Sequence, residues 1–394
     1  MNRDLLHNDI QEFILNNLES DVHDLVLKSK EFQGIPMPVI AGQIESKKRI
    51  QKKLPTWFKT TGIYYPNKKR LEQSSSELTA NYKSKVFSGQ SLIDLTGGFG
   101  IDAYFFSKVF RSVTYCETDA ELSTIAAHNF SVLGAENIEV IHGSGISILN
   151  SSDRKFDCIY IDPSRRHSIK GRVHFIKECE PDITEYLNLF FNRSSQILIK
   201  LSPMLDLQQA VQELDDVSRI HILAINNEVK ELLFELRKGF NDDMEIKTTN
   251  FTKTGHQTFS FVFTEEQQIE PNLGSLKSYL YEPNAAILKS GAFKSVGLNY
   301  GLDKLHQHTH LYTSDKRISF PGRVFNIEMV IPYADKKELK KHLLKTKGNL
   351  SVRNFPINVE ALRRKFKIKD GGKRYIFFVT DQHDQKIVII GGKA

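Results

Sequence analysis

The stretch Ile93-Asp94-Leu95-Thr96-Gly97-Gly98-Phe99-Gly100-Ile101-Asp102 decides the fold. Its apolar beginning predicts a buried strand, its glycines predict a turn, and a helix is predicted from about Asp102. Glycine lets the backbone approach a ligand closely and adopt dihedral angles that other residues avoid. Because open parallel sheets bind ligands at the carboxyl ends of their strands, this turn is a candidate ligand site.

Short apolar runs alternate with amphipathic segments along the middle of the chain. A strand followed by a helix and a further strand implies crossover connections, and therefore a mainly parallel sheet that is covered on both faces. The pattern predicts an α/β fold with a doubly wound, seven-stranded, Rossmann-like sheet. Its strands are predicted at 92–95, 113–116, 138–141, 158–161, 197–200, 220–224 and 258–263.

Two carboxylates flank the glycine turn in sequence. Glu117 ends the second predicted strand about 19 residues beyond Gly98, where an acid can accept both hydroxyls of a ribose. Gly98 to Ala103 could form a degenerate dinucleotide fingerprint, but Asp94 would repel the pyrophosphate of NAD. A carboxylate at this position instead suits S-adenosylmethionine, which carries a sulfonium and an ammonium group and no phosphate.

A further strand ends in an Asp-Pro pair, in the segment Phe156-Asp157-Cys158-Ile159-Tyr160-Ile161-Asp162-Pro163-Ser164-Arg165-Arg166. In a doubly wound sheet this strand end lies beside the first glycine turn. Asp162 could then accept a hydrogen bond from the group that receives a methyl. The alternative is an Asx turn that only ends the strand.

These segments resemble motifs of the class I S-adenosylmethionine-dependent methyltransferases. Within that class they resemble the RNA guanine-N2 methyltransferases related to trimethylguanosine synthase, in which a helix similar to Ser75-Ser76-Glu77-Leu78-Thr79-Ala80 borders the methionine end of the cofactor. The layout resembles a bacterial group in which a small ferredoxin-like domain and a THUMP-like domain follow the catalytic domain. The basic signature of that last domain corresponds to Leu362-Arg363-Arg364-Lys365 and Gly371-Gly372-Lys373-Arg374-Tyr375.

The resemblance implies S-adenosylmethionine as the cofactor and a base in structured RNA, tRNA or rRNA, as the substrate. It assigns Glu117 to the ribose and places Thr118 beside the adenosine. Ser144 stands where the family often has an acid that contacts the adenine. Asp162 and Pro163 correspond to the first half of the catalytic loop. The residues assigned to the methionine part are Asp94, Thr96, Gly97, Gly98 and Gly100.

The second half of the catalytic loop departs from the family pattern. Ser164 replaces a proline, and Arg165 replaces the aromatic residue that stacks on the target base. Arg165 and Arg166 could stack through their guanidinium planes or grip a phosphate. Alternatively the stacking ring comes from the N-terminal region, where the candidates are Trp57, Phe58, Tyr64 and Tyr65.

Positive charge is concentrated near the C-terminus. The chain has 394 residues and a formal net charge of +7, whereas residues 335–375 alone contain 14 Lys or Arg against 4 Asp or Glu. Localised positive charge says more about a polyanionic partner than net charge does, and a solvated helix face is the alternative. Besides Arg166, the candidate RNA-binding residues are Lys340, Lys341, Arg363, Arg364 and Lys365, which we call the C-terminal cation cluster.

The sequence further predicts a cytoplasmic protein without metal, signal peptide or membrane segment. Cys116, Cys158 and Cys179 are too few and too scattered for a disulfide framework or a zinc cluster. We expect a helical region at 1–73, a methyltransferase domain at 74–270, a ferredoxin-like domain at 275–322 and a THUMP-like domain at 323–394. Two alternatives remain open: an inactive RNA-binding protein with a methyltransferase fold, and a methyltransferase for a small molecule or a protein.

Overall fold

The computed structural model describes residues 1–165 and 175–394. The chain divides into two compact units. The first contains Met1–Ser218 and Leu233–Asn241, and the second contains Arg219–Leu232 and Asp242–Ala394.

The described chain contains both α-helices and β-strands. The helices are α1 Asn8–Asn16, α2 Val22–Lys28, α3 Met37–Ile50, α4 Pro55–Lys59, α5 Lys68–Gln73, α6 Glu77–Lys83, α7 Ile101–Phe106, α8 Ala120–Val132, α9 Gly145–Ser151, α10 Leu187–Arg193, α11 Leu207–Glu213, α12 Phe263–Gln268, α13 Ala285–Ser290, α14 Ser295–Tyr300, α15 Lys336–Leu343 and α16 Val359–Phe366. The strands are β1 Glu31–Phe32, β2 Ile35–Pro36, β3 Ser91–Asp94, β4 Ser112–Glu117, β5 Ile138–His142, β6 Cys158–Ile161, β7 Ser164–Arg165, β8 Cys179–Glu180, β9 Gln196–Leu201, β10 Val217–Ile225, β11 Glu228–Arg237, β12 Glu245–Thr252, β13 Gly255–Val262, β14 Tyr279–Pro283, β15 Asp303–His306, β16 Thr309–Ser314, β17 Gly322–Pro332, β18 Asn349–Arg353, β19 Arg374–Thr380 and β20 Lys386–Lys393.

The sheet of the first unit positions the candidate site. Its strands follow the order β9-β6-β3-β4-β5, and each neighbouring pair is parallel. The chain runs outward from β3 through β4 to β5 and then returns to β6 on the other side of β3. This reversal creates a crevice at the carboxyl ends of β3 and β6, where doubly wound sheets bind their ligands.

Helices at the N-terminus pack through apolar side chains at helical spacing. In α3, Ile40, Ile44 and Ile50 are buried. The Asp21 side chain caps α2 by accepting the backbone N–H of His23 at 2.8 Å. Ser76 starts α6 with a capping box. Both caps satisfy backbone N–H groups in the first turn of their helices.

The second unit contains a seven-stranded sheet of order β15-β16-β14-β17-β20-β19-β18. β14 pairs with β17 antiparallel over five residues, from Tyr279↔Asn326 to Pro283↔Gly322. α15 and α16 lie over the C-terminal strands, because their leucines and Phe366 share one buried core with Phe378 and Ile390. The basic residues of both helices therefore project outward from the same layer.

The α/β fold class is confirmed, but between Ser91 and Val262 the described chain has four strands beyond the seven expected. Two of these are the short pair β7 and β8, and the others are β11 and β12. In β11 the run Glu231-Leu232-Leu233-Phe234-Glu235 has the residue types of a helix. It forms a strand instead, with all five residues buried, and burial of this kind overrides local preference.

Within the described ranges, no helix is long and apolar enough to cross a membrane.

Candidate cofactor and catalytic site

The turn after β3 is fixed to the strands on both sides. Leu95 donates its backbone N–H to the carbonyl of Tyr160 in β6 at 3.0 Å, and Gly97 donates to the carbonyl of Cys116 in β4 at 2.8 Å. Gly100 then precedes α7 with a left-handed φ of 82°. The loop therefore continues the hydrogen bonding of the sheet, and its shape is set before any ligand arrives.

Two glycines of this turn are required for different reasons. A Cβ on Gly97 would lie 2.1 Å from Cε2 of the buried Tyr115 ring, so no larger residue fits there. Gly98 has a φ of +58°, and its Cβ would meet only the Thr96 carbonyl oxygen, at 3.8 Å. The space over Gly98 is open, and it is the side from which a ligand could approach the turn.

Asp94 is a buried acid at the carboxyl end of β3. Only 1% of the residue is exposed, and its Oδ1 accepts the backbone N–H of Thr96 at 3.0 Å. Burial, reinforced by the nearby carboxylates of Asp102, Asp162 and Glu117, raises the pKa of Asp94 well above its usual value. Among the described residues, no cation forms an ion pair with it. A buried carboxylate near other carboxylates fits a positively charged ligand, such as the sulfonium and ammonium of S-adenosylmethionine.

Glu117 joins the end of β4 to the glycine turn. Its Oε2 accepts the backbone N–H of Gly98 at 2.8 Å, and its Oε1 accepts that of Asp119 at 2.8 Å. Thr118 donates its hydroxyl to the same Oε1 at 3.2 Å. Ser144 accepts the backbone N–H of Ser147 at 3.4 Å and so caps α9. The predicted adenosine-side residues thus follow the adjacent strands β4 and β5.

Asp162 stands on the opposite side of the crevice, directly after β6. Its backbone N–H donates to the Thr96 hydroxyl at 2.6 Å, so Thr96 connects the glycine turn to the catalytic loop. The carboxylate forms an ion pair with Lys200, which lies on β9, yet 34% of the Asp162 side chain is exposed. Partial burial of the carboxyl raises the pKa of Asp162, and the ammonium of Lys200 acts in the opposite direction.

A buried ion pair, which we did not predict, lies beneath the crevice. Lys83 contacts Asp102 with Nζ 2.9 Å from Oδ1, and Oδ2 of Asp102 accepts hydrogen bonds from the hydroxyls of Ser75 and Tyr160, both at 2.8 Å. Burial by itself would raise the pKa of Asp102, but Lys83 and then Lys200 outweigh it, so the pKa is lowered. The pair fixes α6 against α7 and places Ser75 beside the crevice.

Lys83 and Lys200 were missed because each partnership is a tertiary contact that spacing in the sequence does not show. Lys83 on α6 meets Asp102 on α7, and Lys200 on β9 meets Asp162 at the end of β6. Lys200 did leave a signal: it is a charged residue at the end of the apolar run Ile197-Leu198-Ile199. A buried lysine normally requires a partner, and that partner is Asp162 on the neighbouring strand.

Of the two arginines of the catalytic loop, Arg165 lies within the described residues. The backbone of Arg165 belongs to β7 and pairs with Cys179 of β8. Arg166 lies outside the described residues.

Three of the four candidate stacking rings are not available to a base. Trp57, Tyr64 and Tyr65 are buried, and Trp57 packs edge-on against Tyr104 with ring centroids 4.9 Å apart. Phe58 is half-buried beneath the ammonium of Lys47. The interpretation that these rings stack on the target is therefore wrong for Trp57, Tyr64 and Tyr65, which belong to the core.

The C-terminal cation cluster lies on α15 and α16. Lys341 is paired with Glu338 at 3.1 Å, and Arg363 with Asp370 at 2.6 Å. Lys365 donates to the Tyr333 hydroxyl at 2.8 Å. The remaining members, Lys340 and Arg364, are exposed. Within the part of the chain that the structure describes, no group of three His, Cys, Asp or Glu residues could hold a metal ion.

The strand order and the crevice are those of a doubly wound parallel sheet, with a glycine turn and acids at its switch point. The chain matches the crystal structure of a "putative methyltransferase" from Porphyromonas gingivalis W83 with a TM-score of 0.87 and 33% sequence identity. The match covers 100% of this chain and 98% of that one. The chain therefore belongs to the same methyltransferase family, whose class uses S-adenosylmethionine as its cofactor.

Two family profiles match the C-terminal part of the chain. One, described as a ferredoxin-like domain, matches residues 279–321, and the other, described as THUMP domain-like, matches residues 322–393. These matches confirm the resemblance that the sequence indicated. No curated protein sequence matches the chain.

Other solved structures resemble only part of the chain. An rRNA methylase from Streptococcus thermophilus has a TM-score of 0.31 at 17% identity, covering 41% of this chain and 94% of that one. A methyltransferase from Streptococcus mutans, solved in complex with SAH, has a TM-score of 0.29 at 13% identity, covering 41% and 97%. At this level of similarity neither protein bears on the function of the chain.

Proposed function

We propose that the chain transfers a methyl group from S-adenosylmethionine to a base in structured RNA, such as tRNA or rRNA. The observation that carries the proposal is Asp94, an acid with 1% exposure whose charged neighbours in the crevice are further carboxylates. A buried carboxylate is costly unless a cation compensates it. A sulfonium and an ammonium next to the open face of Gly98 would supply that compensation.

The residues of the turn would bind and orient the cofactor. Asp94, with Thr96, Gly97, Gly98 and Gly100, would hold its methionine part. On the adenosine side, Glu117 would accept the ribose hydroxyls, with Thr118 and Ser144 beside the base. When bound, S-adenosylmethionine supplies an electrophilic methyl group.

Asp162 and the carbonyl of Pro163 would direct the acceptor. Because 34% of the Asp162 side chain is exposed, an exocyclic amine can reach it and donate its hydrogens to the carboxylate. This contact would aim the nitrogen lone pair at the methyl group, and most of the acceleration would come from such positioning. Arg165 follows in the same loop and is proposed to contact the target nucleotide.

The THUMP domain-like match and the C-terminal cation cluster favour RNA as the substrate. Basic side chains on the outer side of α15 and α16 are suited to the phosphates of a folded RNA, which proteins recognise mainly through backbone and shape. RNA that lacks the modification, prepared from cells without the gene, is the appropriate substrate for a test.

The experiment measures transfer of a radiolabelled methyl group to this RNA, followed by mass spectrometry of its nucleosides. We expect label in one modified base, binding of S-adenosylmethionine by calorimetry, and no transfer by Asp162→Asn with unchanged cofactor affinity. Asp153→Asn, which neutralises an exposed carboxylate, is the matched control and should remain active.

Other outcomes identify the alternatives. If the chain binds the cofactor and labels a protein or a small molecule but no RNA, its substrate is a protein or a small molecule. Absence of both cofactor binding and transfer, with intact RNA binding, would indicate an inactive RNA-binding protein.

A further inference from the structure

A small cavity borders the catalytic loop, and the described residues of its lining include no acid. Its volume is about 270 Å³, and its described lining consists of Asn67, Lys69, Arg70, Gln73 and Ser164. We call these five residues the cationic rim. Ser164 comes two residues after Asp162, so the rim begins within about 7 Å of chain from the proposed catalytic carboxylate.

The rim carries charge that is free for a ligand. Lys69 is exposed, and no side chain or carbonyl among the described residues is its partner. Arg70 holds Asp119 with Nη2 3.0 Å from Oδ2, which leaves its other N–H groups available. The one acid of α5, Glu72, pairs instead with Arg49 at 3.2 Å. The cavity therefore has a net positive lining and several neutral hydrogen-bond donors.

Two side-chain amides hold the chain in front of α5 in place. Asn129 is 1% exposed and makes two hydrogen bonds to the backbone of Tyr64, both at 2.9 Å. Gln43 does the same for Tyr65, at 2.9 and 3.0 Å. Two residues later, Asn67 accepts the backbone N–H of Arg70 at 3.2 Å.

The end of α5 is held as firmly as its beginning. Lys53 donates its ammonium to the carbonyls of Leu71 and Glu72, at 2.8 and 3.0 Å, and Leu71 is buried. The α5 side of the rim is therefore preorganised for a ligand.

We propose that the cationic rim binds a backbone phosphodiester of the polynucleotide substrate, adjacent to the nucleotide whose base reaches Asp162. Lys69 and Arg70 supply the charge, and Gln73, Asn67 and the Ser164 hydroxyl supply neutral hydrogen bonds, a combination that suits a phosphate monoanion. The inference rests on the proposed function, because it assumes that the substrate is a polynucleotide.

Lys69→Gln is the informative variant, and Lys68→Gln is its matched control. Both lysines are exposed and lie on α5, but Lys68 lines the neighbouring cavity, which shares Asn67 and Arg70 with the rim and whose lining also includes the acids Asp119 and Glu121. Each substitution removes one positive charge from the same helix. Arg70 is left intact because it also supports Asp119, next to the proposed adenosine site.

The probe is a fluorescein-labelled 20-nucleotide oligoribonucleotide, titrated with the full chain at several salt concentrations in the presence of S-adenosylmethionine. We expect Lys69→Gln to weaken binding about 3- to 10-fold and to reduce the salt slope by about 0.7, the value for one phosphate of a single strand. Lys68→Gln should change neither quantity. Both variants should bind S-adenosylmethionine like the wild-type chain.

Two further probes define the ligand. A methylphosphonate oligomer of the same sequence, which lacks the backbone charge, should not distinguish Lys69→Gln from wild type. Inorganic phosphate should compete only weakly, whereas strong competition would assign the rim to a free anion and overturn the inference. Repeating the titration with the C-terminal cation cluster neutralised removes the contribution of that cluster to RNA affinity, so that the effect of Lys69→Gln is measured without it.

The result also separates the two proposals. If Lys69→Gln and Lys68→Gln behave alike while RNA binding persists, the rim is not a phosphate site and the proposed function stands. If the wild-type chain binds S-adenosylmethionine but neither the oligoribonucleotide nor cellular RNA, the polynucleotide substrate is wrong and the rim proposal falls with it.

Discussion

Asp94 has opposite effects on stability and on binding. Its burial makes the ionised form costly in the folded, ligand-free protein, and the same charge would attract a cationic cofactor. Because burial raises the pKa of Asp94, the folded state takes up a proton on acidification at a higher pH than the unfolded state does. The free energy of unfolding of the ligand-free protein should therefore decrease as the pH rises through the raised pKa, because the buried carboxyl then ionises. Cofactor affinity should increase over the same pH range.

Asp94→Asn tests both effects in one protein. The amide keeps an oxygen for the Thr96 N–H and removes the charge, so we expect the ligand-free variant to be more stable by about 1–2 kcal/mol at neutral pH. We expect cofactor affinity to fall at least about 100-fold, by the size of a lost buried charge pair. Calorimetry and thermal unfolding from pH 5 to 8 measure the two quantities. A less stable variant that still binds the cofactor would contradict this account of Asp94.

Lys200 is a positioning residue that acts through Asp162. Its ammonium lowers the pKa of Asp162 against the effect of burial, so Lys200→Met should raise that pKa further. The pH profile of methyl transfer should then lose activity at low and neutral pH and recover it at higher pH. Lys200→Arg should restore most of the wild-type profile, and cofactor affinity should not change. A profile that keeps its shape at lower amplitude would mean that Lys200 has only a structural role.

At the scale of single elements, two substitutions in the glycine turn should affect different properties: one the stability of the fold and the other the binding of the cofactor. Gly97→Ala places a methyl group against the buried Tyr115 ring at 2.1 Å, and such overpacking costs about 1–3 kcal/mol. Gly98→Ala meets open space, so its stability cost should be only about 1–2 kcal/mol of left-handed strain. Cofactor affinity should nevertheless fall strongly, because the methyl group occupies the open face. Chemical unfolding and calorimetry on both variants check the contrast.

The helices α15 and α16 should contribute to RNA affinity without affecting the cofactor. Replacing the C-terminal cation cluster with glutamine should weaken RNA binding and lower the salt slope, because fewer counterions are released. Filter binding over a salt series measures this. Replacing Lys108, Lys155 and Lys238, which lie on the first unit, is the comparison. Because it removes three charges against five in the cluster, an equal loss per charge removed would assign the effect to net charge alone.

The sequence predicts an element well where the decisive contacts are local. The glycine turn and the strand end at Asp162 both depend on residues a few positions apart. β11 was missed because its Leu232-Leu233 pair between two glutamates resembles a helical pattern, and only burial in the folded protein selects the strand. Lys200 and Asp162 meet across adjacent strands, and their pairing depends on a strand order that spacing does not encode.

At the scale of the whole molecule, the two matched C-terminal domains share one sheet. β14 to β16 come from the ferredoxin-like match and β17 to β20 from the THUMP domain-like match. Leu280, Leu305 and Leu311 of the first match pack into one buried core with Phe325 and Phe377 of the second. Neither match contains the whole core, so both should unfold together.

Fragments of the chain test this prediction. A fragment of residues 322–393 would expose the β17 edge and half of the shared core, and we expect it to aggregate or to unfold without a cooperative transition. A fragment of residues 275–394 retains both sides and should melt cooperatively. Circular dichroism with temperature compares them. A cooperative transition in the shorter fragment would show that the THUMP-like part is an independent folding unit.

The β14–β17 pairing also limits how this protein can evolve. A recombination event at residue 322 would separate paired strands and divide their core, so the descendants would inherit two incomplete halves. Lineages should therefore keep both parts or lose both, and a gene that acquires one should acquire its companion in the same step.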